Sequence, residues 1–277
     1  MNRTYRILST LLGGLAAVTL AIASPSAWAD DDDDSDEEIP FDEHEIFFEL
    51  NYTDEDLGIH ALIDGEAWKR LIIERDDNDR KLLDVRVKSY LRKQGLTEFF
   101  FESAEPEFDE LSPEDFFDRF PEGEYDIEGR TLDGDELESE TEITHLLPAP
   151  AEPKVNGVDA AEDCDTPLEG VTAPVTITWD EVDKSIDAED EGFPPAEDIE
   201  VVNYQVVVEI DETPFNVSAI LSADARSFVV PMEILDLAAA LADEDPDEFE
   251  GEVKFEVLVR EESFNQTGVE SCFVLDD

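Results

Sequence analysis

The sequence predicts an all-β protein built as two antiparallel β-sandwiches, with one short helix in the first. Three observations point there. Apolar residues alternate with polar ones over short runs, as in Leu83, Val85 and Val87 against Asp84, Arg86 and Lys88. Turn-forming Asp-Gly pairs stand between such runs, at Asp64-Gly65 and Asp133-Gly134. No long stretch after the leader carries a helical period.

The chain has 277 residues and a net charge of −58. Residues 1–29 read as a secretory signal. Arg3 and Arg6 open it, an uncharged apolar run follows, and Ala27-Trp28-Ala29 fits a small-x-small cleavage step. Cleavage after Ala29 would leave a chain with no further span, exported to the periplasm or the cell exterior. A charge of this size opposes nucleic acid and anionic membranes. It also suits a salt-rich setting, where ions screen self-repulsion. Asp30–Asp34 and the acids after them predict a disordered tail over residues 30–44.

Residues 45–148 predict the first sandwich. EIFFELN, GIHALID, AWKRLIIER, KLLDVRVK, TEFFFES, GEYDIEGRTL and ELESETEITHLL each read as strands. In SPEDFFDRF, Ser112 caps, Pro113 fits the first turn, and Phe116, Phe117 and Phe120 form an apolar stripe that Pro121 ends. Gly123 two residues before Tyr125 resembles the tyrosine corner of immunoglobulin-like sandwiches. Residues 149–163, rich in proline and without periodicity, predict a linker.

Residues 164–277 predict the second sandwich. Its strands are PVTITWD, VVNYQVVVEID, PFNVSAIL, RSFVVP, GEVKFEVLVRE and GVESCFVLD, with a short helix in DLAAALADEDPDEF. Pro174, the inward Trp179, Tyr204 and the run ending at Asn265-Gln266-Thr267 resemble a fibronectin type III domain over about residues 165–277. The family's corner tyrosine is Phe255 here, which has no hydroxyl to donate. The resemblance implies a spacer or binding module in a secreted bacterial protein.

Cys164 and Cys272 are the only cysteines. In an exported chain they predict a disulfide, and no CxxC or nearby His makes them a metal site. Nine basic residues lie between positions 69 and 93: Lys69, Arg70, Arg75, Arg80, Lys81, Arg86, Lys88, Arg92 and Lys93. They are either a neutralised sheet face or an anion-binding face, which an acidic polysaccharide, a phosphate-bearing surface or the chain's own residues 30–38 would occupy. Asp54, Asp56, Asp76, Asp77, Asn78 and Asp79 lie in acidic turns suited to calcium, but without EF-hand spacing. His44, His60 and His145 read as surface or satisfied strand residues rather than ligands. Asn51, Asn216 and Asn265 head glycosylation sequons.

No nucleophile elbow, phosphate loop or marked carboxylate pair occurs, and no cofactor other than calcium is expected. The expected function is non-catalytic: an exported binding or scaffold protein with a protein or polysaccharide partner. A calcium-dependent surface or adhesion protein is the alternative, and a carbohydrate-active enzyme a distant third.

Overall fold

A computed structural model describes residues 38–210, 213–244 and 251–276. The signal segment and residues 30–37 of the acidic tail lie outside them. The first half contains β1 (Glu43–Asn51), β2 (Asp56–Arg75), β3 (Lys81–Arg86), α1 (Leu91–Gln94), β4 (Leu96–Glu102), α2 (Pro113–Arg119), β5 (Gly123–Thr131) and β6 (Glu136–Ile143). The second contains β7 (Lys154–Val155), β8 (Val158–Asp159), β9 (Leu168–Val171), β10 (Thr176–Thr178), β11 (Val201–Ile210), β12 (Asn216–Ser222), β13 (Ser227–Val229), α3 (Met232–Glu244), β14 (Glu252–Glu261) and β15 (Gln266–Leu275). The all-β prediction holds, and the buried apolar residues fall into two separate cores.

The first core packs alternate residues of β1 (Ile46, Phe48, Leu50) and β2 (Leu57, Ile59, Ala61, Ile63) with Trp68, Tyr125, Ile127 and Leu137. Helix α2 forms as its sequence predicts. Ser112 Oγ accepts the Asp115 amide at 3.3 Å, and Pro113 fills the first turn. Phe116 and Phe117 then close over Phe48 at 5.2 and 5.9 Å between ring centres. The Tyr125 hydroxyl donates to the Pro121 carbonyl at 3.0 Å, so the tyrosine corner is present in this unit.

The second unit is an antiparallel β-sandwich around one apolar core. One sheet runs β13-β10-β7-β8, and the facing strands run β12-β11-β14-β15. Trp179 and Tyr204 point inward, 5.4 Å apart, and the Tyr204 hydroxyl accepts the Val182 amide at 3.2 Å. Phe255 fills the core without a polar tip.

Four expectations need correction. First, Asp64-Gly65 makes no hairpin. GIHALID and AWKRLIIER form the single 20-residue strand β2, whose register shifts between Asp64 and Trp68. Each half of β2 is paired on both sides, to β1 and β4 and then to β3 and β5, and this outweighs the local turn preference. Gly65 instead gives room to Phe41: a Cβ there would lie 3.1 Å from that ring. Second, residues 38–44 are not tail. Ile39 bridges Leu137 on β6, Phe41 enters the core, and β1 begins at Glu43. Third, the 149–163 segment is not a plain linker. It supplies β7 and β8, and Val155 joins the second core. Fourth, α3 begins at Met232, four residues before the expected start, and ends at Glu244.

The units share one sheet. β1 pairs in parallel with β15 (Glu49 with Gln266, Leu50 with Thr267, Asn51 with Gly268), giving an eleven-stranded sheet among the described residues. The loop between β10 and β11 crosses back as well. Ile186 and Phe193 pack in the first core, with Phe193 5.9 Å from Phe117.

Candidate binding surface

The shared sheet places one outward face across seven strands: β12, β11, β14, β15, β1, the first half of β2, and β4. Period-two alternation sends Phe47, Glu49 and Asn51 of β1 to this face, with Gly58 and His60 of β2 and Phe100 and Glu102 of β4. From β14 come Lys254, Glu256, Leu258 and Arg260, and from β15 Gln266 and Glu270. Cations on the face sit between acids. Lys254 reaches Glu270 at 2.6 Å and Glu209 at 4.0 Å. Arg260 pairs with Glu45 at 2.5 Å and lies 4.8 Å over the Phe47 ring.

The joint between the units is built on Asn265, which is 1% exposed. Its Oδ1 accepts the Phe48 amide at 2.8 Å. Its Nδ2 donates to the Thr144 and Leu146 carbonyls at 3.0 and 2.8 Å. Thr267 Oγ1 donates to the Pro148 carbonyl at 2.7 Å, and Thr53 Oγ1 accepts the Glu270 amide at 2.9 Å. These bonds satisfy buried groups on both sides, so the joint is rigid. Of the three sequons after the leader, Asn51 and Asn265 are buried and Asn216 is exposed.

His60 is the least expected group on the face. It is 3% exposed, between the rings of Phe47 and Phe100. Its Nε2 lies 3.1 Å from Glu105 Oε1, and its Nδ1 lies 3.9 Å from Glu49 Oε2. Gly58 admits Glu105: a Cβ there would lie 2.7 Å from Glu105 Cγ. Burial disfavours the imidazolium, but Glu105, Glu49 and Glu102 outweigh it and raise the His60 pKa. The carboxylates face opposite ring nitrogens. That geometry clamps an imidazolium, and one ligand atom from each of Glu49, His60 and Glu105 lies within 4.8 Å of the others, close enough to hold a metal ion when the ring is neutral. Sequence spacing hides this cluster, because Glu49 and Glu105 meet His60 only through strand register and a loop. His145 is satisfied as expected, stacked 4.3 Å from Phe117 with Nε2 2.8 Å from the Phe120 carbonyl. His44 lies on β1.

Four of the nine basic residues are held by nearby acids. Arg70 forks onto Asp84 at 3.1 and 2.8 Å, with Arg86 also on Asp84 at 3.4 Å. The Arg70 and Arg86 bonds hold the Asp84 carboxyl well below its usual range. Arg75 forks onto Asp77, and Lys81 meets Glu74 at 2.7 Å. Lys69, Arg80, Lys88, Arg92 and Lys93 form no ion pair among the described residues.

The expected calcium residues do not gather. Asp54 bonds Asn51, Asp77 takes Arg75, and Asn78 Oδ1 accepts the Arg80 amide. Asp56 is buried at the start of β2, and Asp79 has a left-handed backbone at φ 54°. Asp76 alone joins a cluster, with Glu124 and Asp126 within 4.8 Å. These acids continue as a ladder across β5 and β6, where Glu124 opposes Glu142, Asp126 opposes Glu140, and Glu128 opposes Glu138. Repulsion from Glu140 raises the Glu124 pKa, and burial with Asp76 raises that of Asp126.

Cys164 and Cys272 form the expected disulfide, with Cα atoms 5.0 Å apart. Glu252 lies beside them, but the oxidised sulfurs offer no thiolate for a metal.

No protein-family model matches the chain, and no curated protein matches it. Among solved structures, the chain is similar to the FN1–FN3 domains of chicken CNTN1 at 7% identity and a TM-score of 0.30, covering 86% of this chain and 65% of that one. It is also similar to a tetra-tandem repeat from the extending region of a large adhesion protein (11% identity, TM-score 0.25, 84% and 49% covered). A third is a 1.5-MDa bacterial ice-binding adhesin (10% identity, TM-score 0.24, 86% and 66% covered). The chain thus spans about two thirds or less of these chains' lengths. No helix among the described residues is long and apolar enough to cross a membrane.

Proposed function

We propose that this chain is an exported, non-catalytic binding or scaffold module that presents a rigid two-unit surface outside the cytoplasm. The observation that carries the reading is the joint: β1 pairs with β15, and Asn265 locks the two cores into one body. Such a body holds a broad face in fixed orientation, as a scaffold or receptor module requires. The disulfide supports a setting outside a reducing cytoplasm. The partner is a protein or polysaccharide of that setting, and the acid ladder supports work at high ionic strength, where ions screen it.

The test immobilises the whole chain and passes over it the envelope proteins and acidic and neutral polysaccharides of the source, in high salt. Saturable retention of one component supports the reading. Turnover of a polysaccharide, read as new reducing ends, would overturn the non-catalytic assignment.

A calcium-dependent adhesion module is the second reading, favoured by the Asp76, Glu124 and Asp126 cluster alone. A melting shift with calcium at fixed high ionic strength, absent with magnesium, would support it.

A further inference from the structure

β12 ends the large sheet. Among the described residues it pairs with β11 and with no other strand, so its far edge presents unpaired backbone donors and acceptors. Proteins usually guard such an edge with charge, proline, a bulge or a cover. Among the described residues β12 has none of these. Residues 213–223, TPFNVSAILSA, form the longest run without a charged residue among those described, in a chain that is 34% charged. Pro214 precedes the strand, and the register with β11 has no shift. The outward row is Asn216, Ser218, Ile220 and Ser222, with Ile220 54% exposed and Phe215 at the strand's approach 45% exposed.

The other end of the same sheet is built the opposite way. β6 carries Glu136, Glu138, Glu140 and Glu142 within eight residues. One edge is charged against pairing, and the other is left bare.

We propose that β12 is a self-pairing edge: two copies of this chain join by antiparallel β12–β12 pairing, so that one sheet runs through both. Charge selects a second copy as the occupant. A basic partner would be drawn to the acid ladder and the acidic faces, and a neutral strand gives it no attraction. Two copies, each at −58, repel along their acidic edges and meet closely only along a neutral one. An antiparallel strand is also its own complement under two-fold symmetry. With Ala219 on the axis, Val217 faces Leu221, Ser218 faces Ile220, and no charged side chain lies within the paired seven residues. The proposal stands apart from the identity of any ligand.

The association has a distinctive salt dependence. It is main-chain and apolar pairing against a background of repulsion, so salt strengthens it. Raising salt from about 0.1 M to about 1 M shortens the screening length from about 10 Å to about 3 Å. Sedimentation velocity on the chain from Asp30 to Asp277 should show a monomer–dimer equilibrium that shifts to dimer with salt and concentration. Ile220→Glu places two like charges near the axis and should raise the dimer dissociation constant about tenfold or more. Leu91→Glu adds the same charge to an exposed site on α1, away from this face, and should leave dimerisation unchanged. Hydrogen exchange on the unmodified chain supplies a readout without substitution: alternate amides of residues 216–222 should slow as concentration rises. A chain that stays monomeric at every salt overturns the proposal. So does a dimer that survives Ile220→Glu, or one that Leu91→Glu weakens equally.

Discussion

Phe48 gives its amide hydrogen to Asn265 Oδ1 at 2.8 Å, across 217 positions of sequence. Phe48 lies in the first core, and Asn265 sits in the turn between β14 and β15 of the second unit. Asn265→Ala would strip a buried N–H and two carbonyls of their partner at once. Each unmet group costs about 1–3 kcal/mol, so a loss of about 3 kcal/mol or more is expected in urea unfolding. Asn265→Asp keeps an acceptor for Phe48 but turns a carboxylate toward the Thr144 and Leu146 carbonyls, so it should not rescue. A change of less than about 1 kcal/mol for both variants would show that Asn265 is not the lock.

The disulfide closes a sequence separation of 108 residues. In the chain-entropy model a loop of that size contributes about 4–5 kcal/mol. It ties the segment before β9 to β15, the strand that also carries the inter-unit joint. Reduction should therefore weaken both units together. A reducing agent should lower the urea midpoint with one transition by both near- and far-ultraviolet signals. Two separated transitions would mean that the units unfold independently.

The acid ladder gives a signed pH dependence. Glu124, Asp126, Glu128 and Glu138 all have raised pKa values in the folded chain. Repulsion from Glu140 leads for Glu124, and burial leads for the other three, with neighbouring acids adding to it. The folded state therefore holds more protons than the unfolded state just above the ordinary carboxylate range. This contribution to stability is largest below that range and is lost as pH rises through the raised values. At neutral pH and low salt the melting temperature should be lower than in high salt. Glu140→Gln should raise the low-salt melting temperature and flatten its salt dependence. A melting temperature that is flat or falling with salt would remove the screening argument.

Strand positions were legible because burial on one face enforces period-two alternation, as in Val253, Phe255, Val257 and Val259 of β14. The helix at Pro113 and the hairpin at Asp133-Gly134 were legible because their signals are local. Gly134 adopts φ 112°, and Thr131 Oγ1 accepts the Gly134 and Asp135 amides at 3.1 and 3.0 Å. Local signals failed where tertiary pairing overrode them. Asp64-Gly65 reads as a hairpin, yet partners on both edges keep β2 extended. Asn265 reads as a glycosylation sequon, yet its amide is consumed by three backbone groups far away in sequence. The parallel pairing of β1 with β15 leaves no local mark, since it joins the first strand to the last. The His60 cluster shares that origin: Glu49 reaches it by register, and Glu105 by a loop that Gly58 admits.

Glu105 and Glu49 flank His60 from opposite nitrogens, and Glu102 stands across from it on β4. Arg260, the nearby cation, is engaged by Glu45 over the Phe47 ring. The raised His60 pKa favours the folded state below the ordinary histidine value near 6.5, and this gain is lost as pH rises through the folded value. Nuclear magnetic resonance of the imidazole should show His60 titrating above the ordinary range. Gly58→Ala is the sharper test. Its methyl would collide with the flexible end of Glu105, 2.7 Å from Cγ, and push that carboxylate aside while the strand stays paired. Loss of the Glu105 bond leaves burial less opposed, so the His60 pKa should fall in this variant. His60→Gln should remove the part of the alkaline stability loss that His60 contributes. An unchanged His60 titration in Gly58→Ala would mean that Glu105 does not hold the proton there.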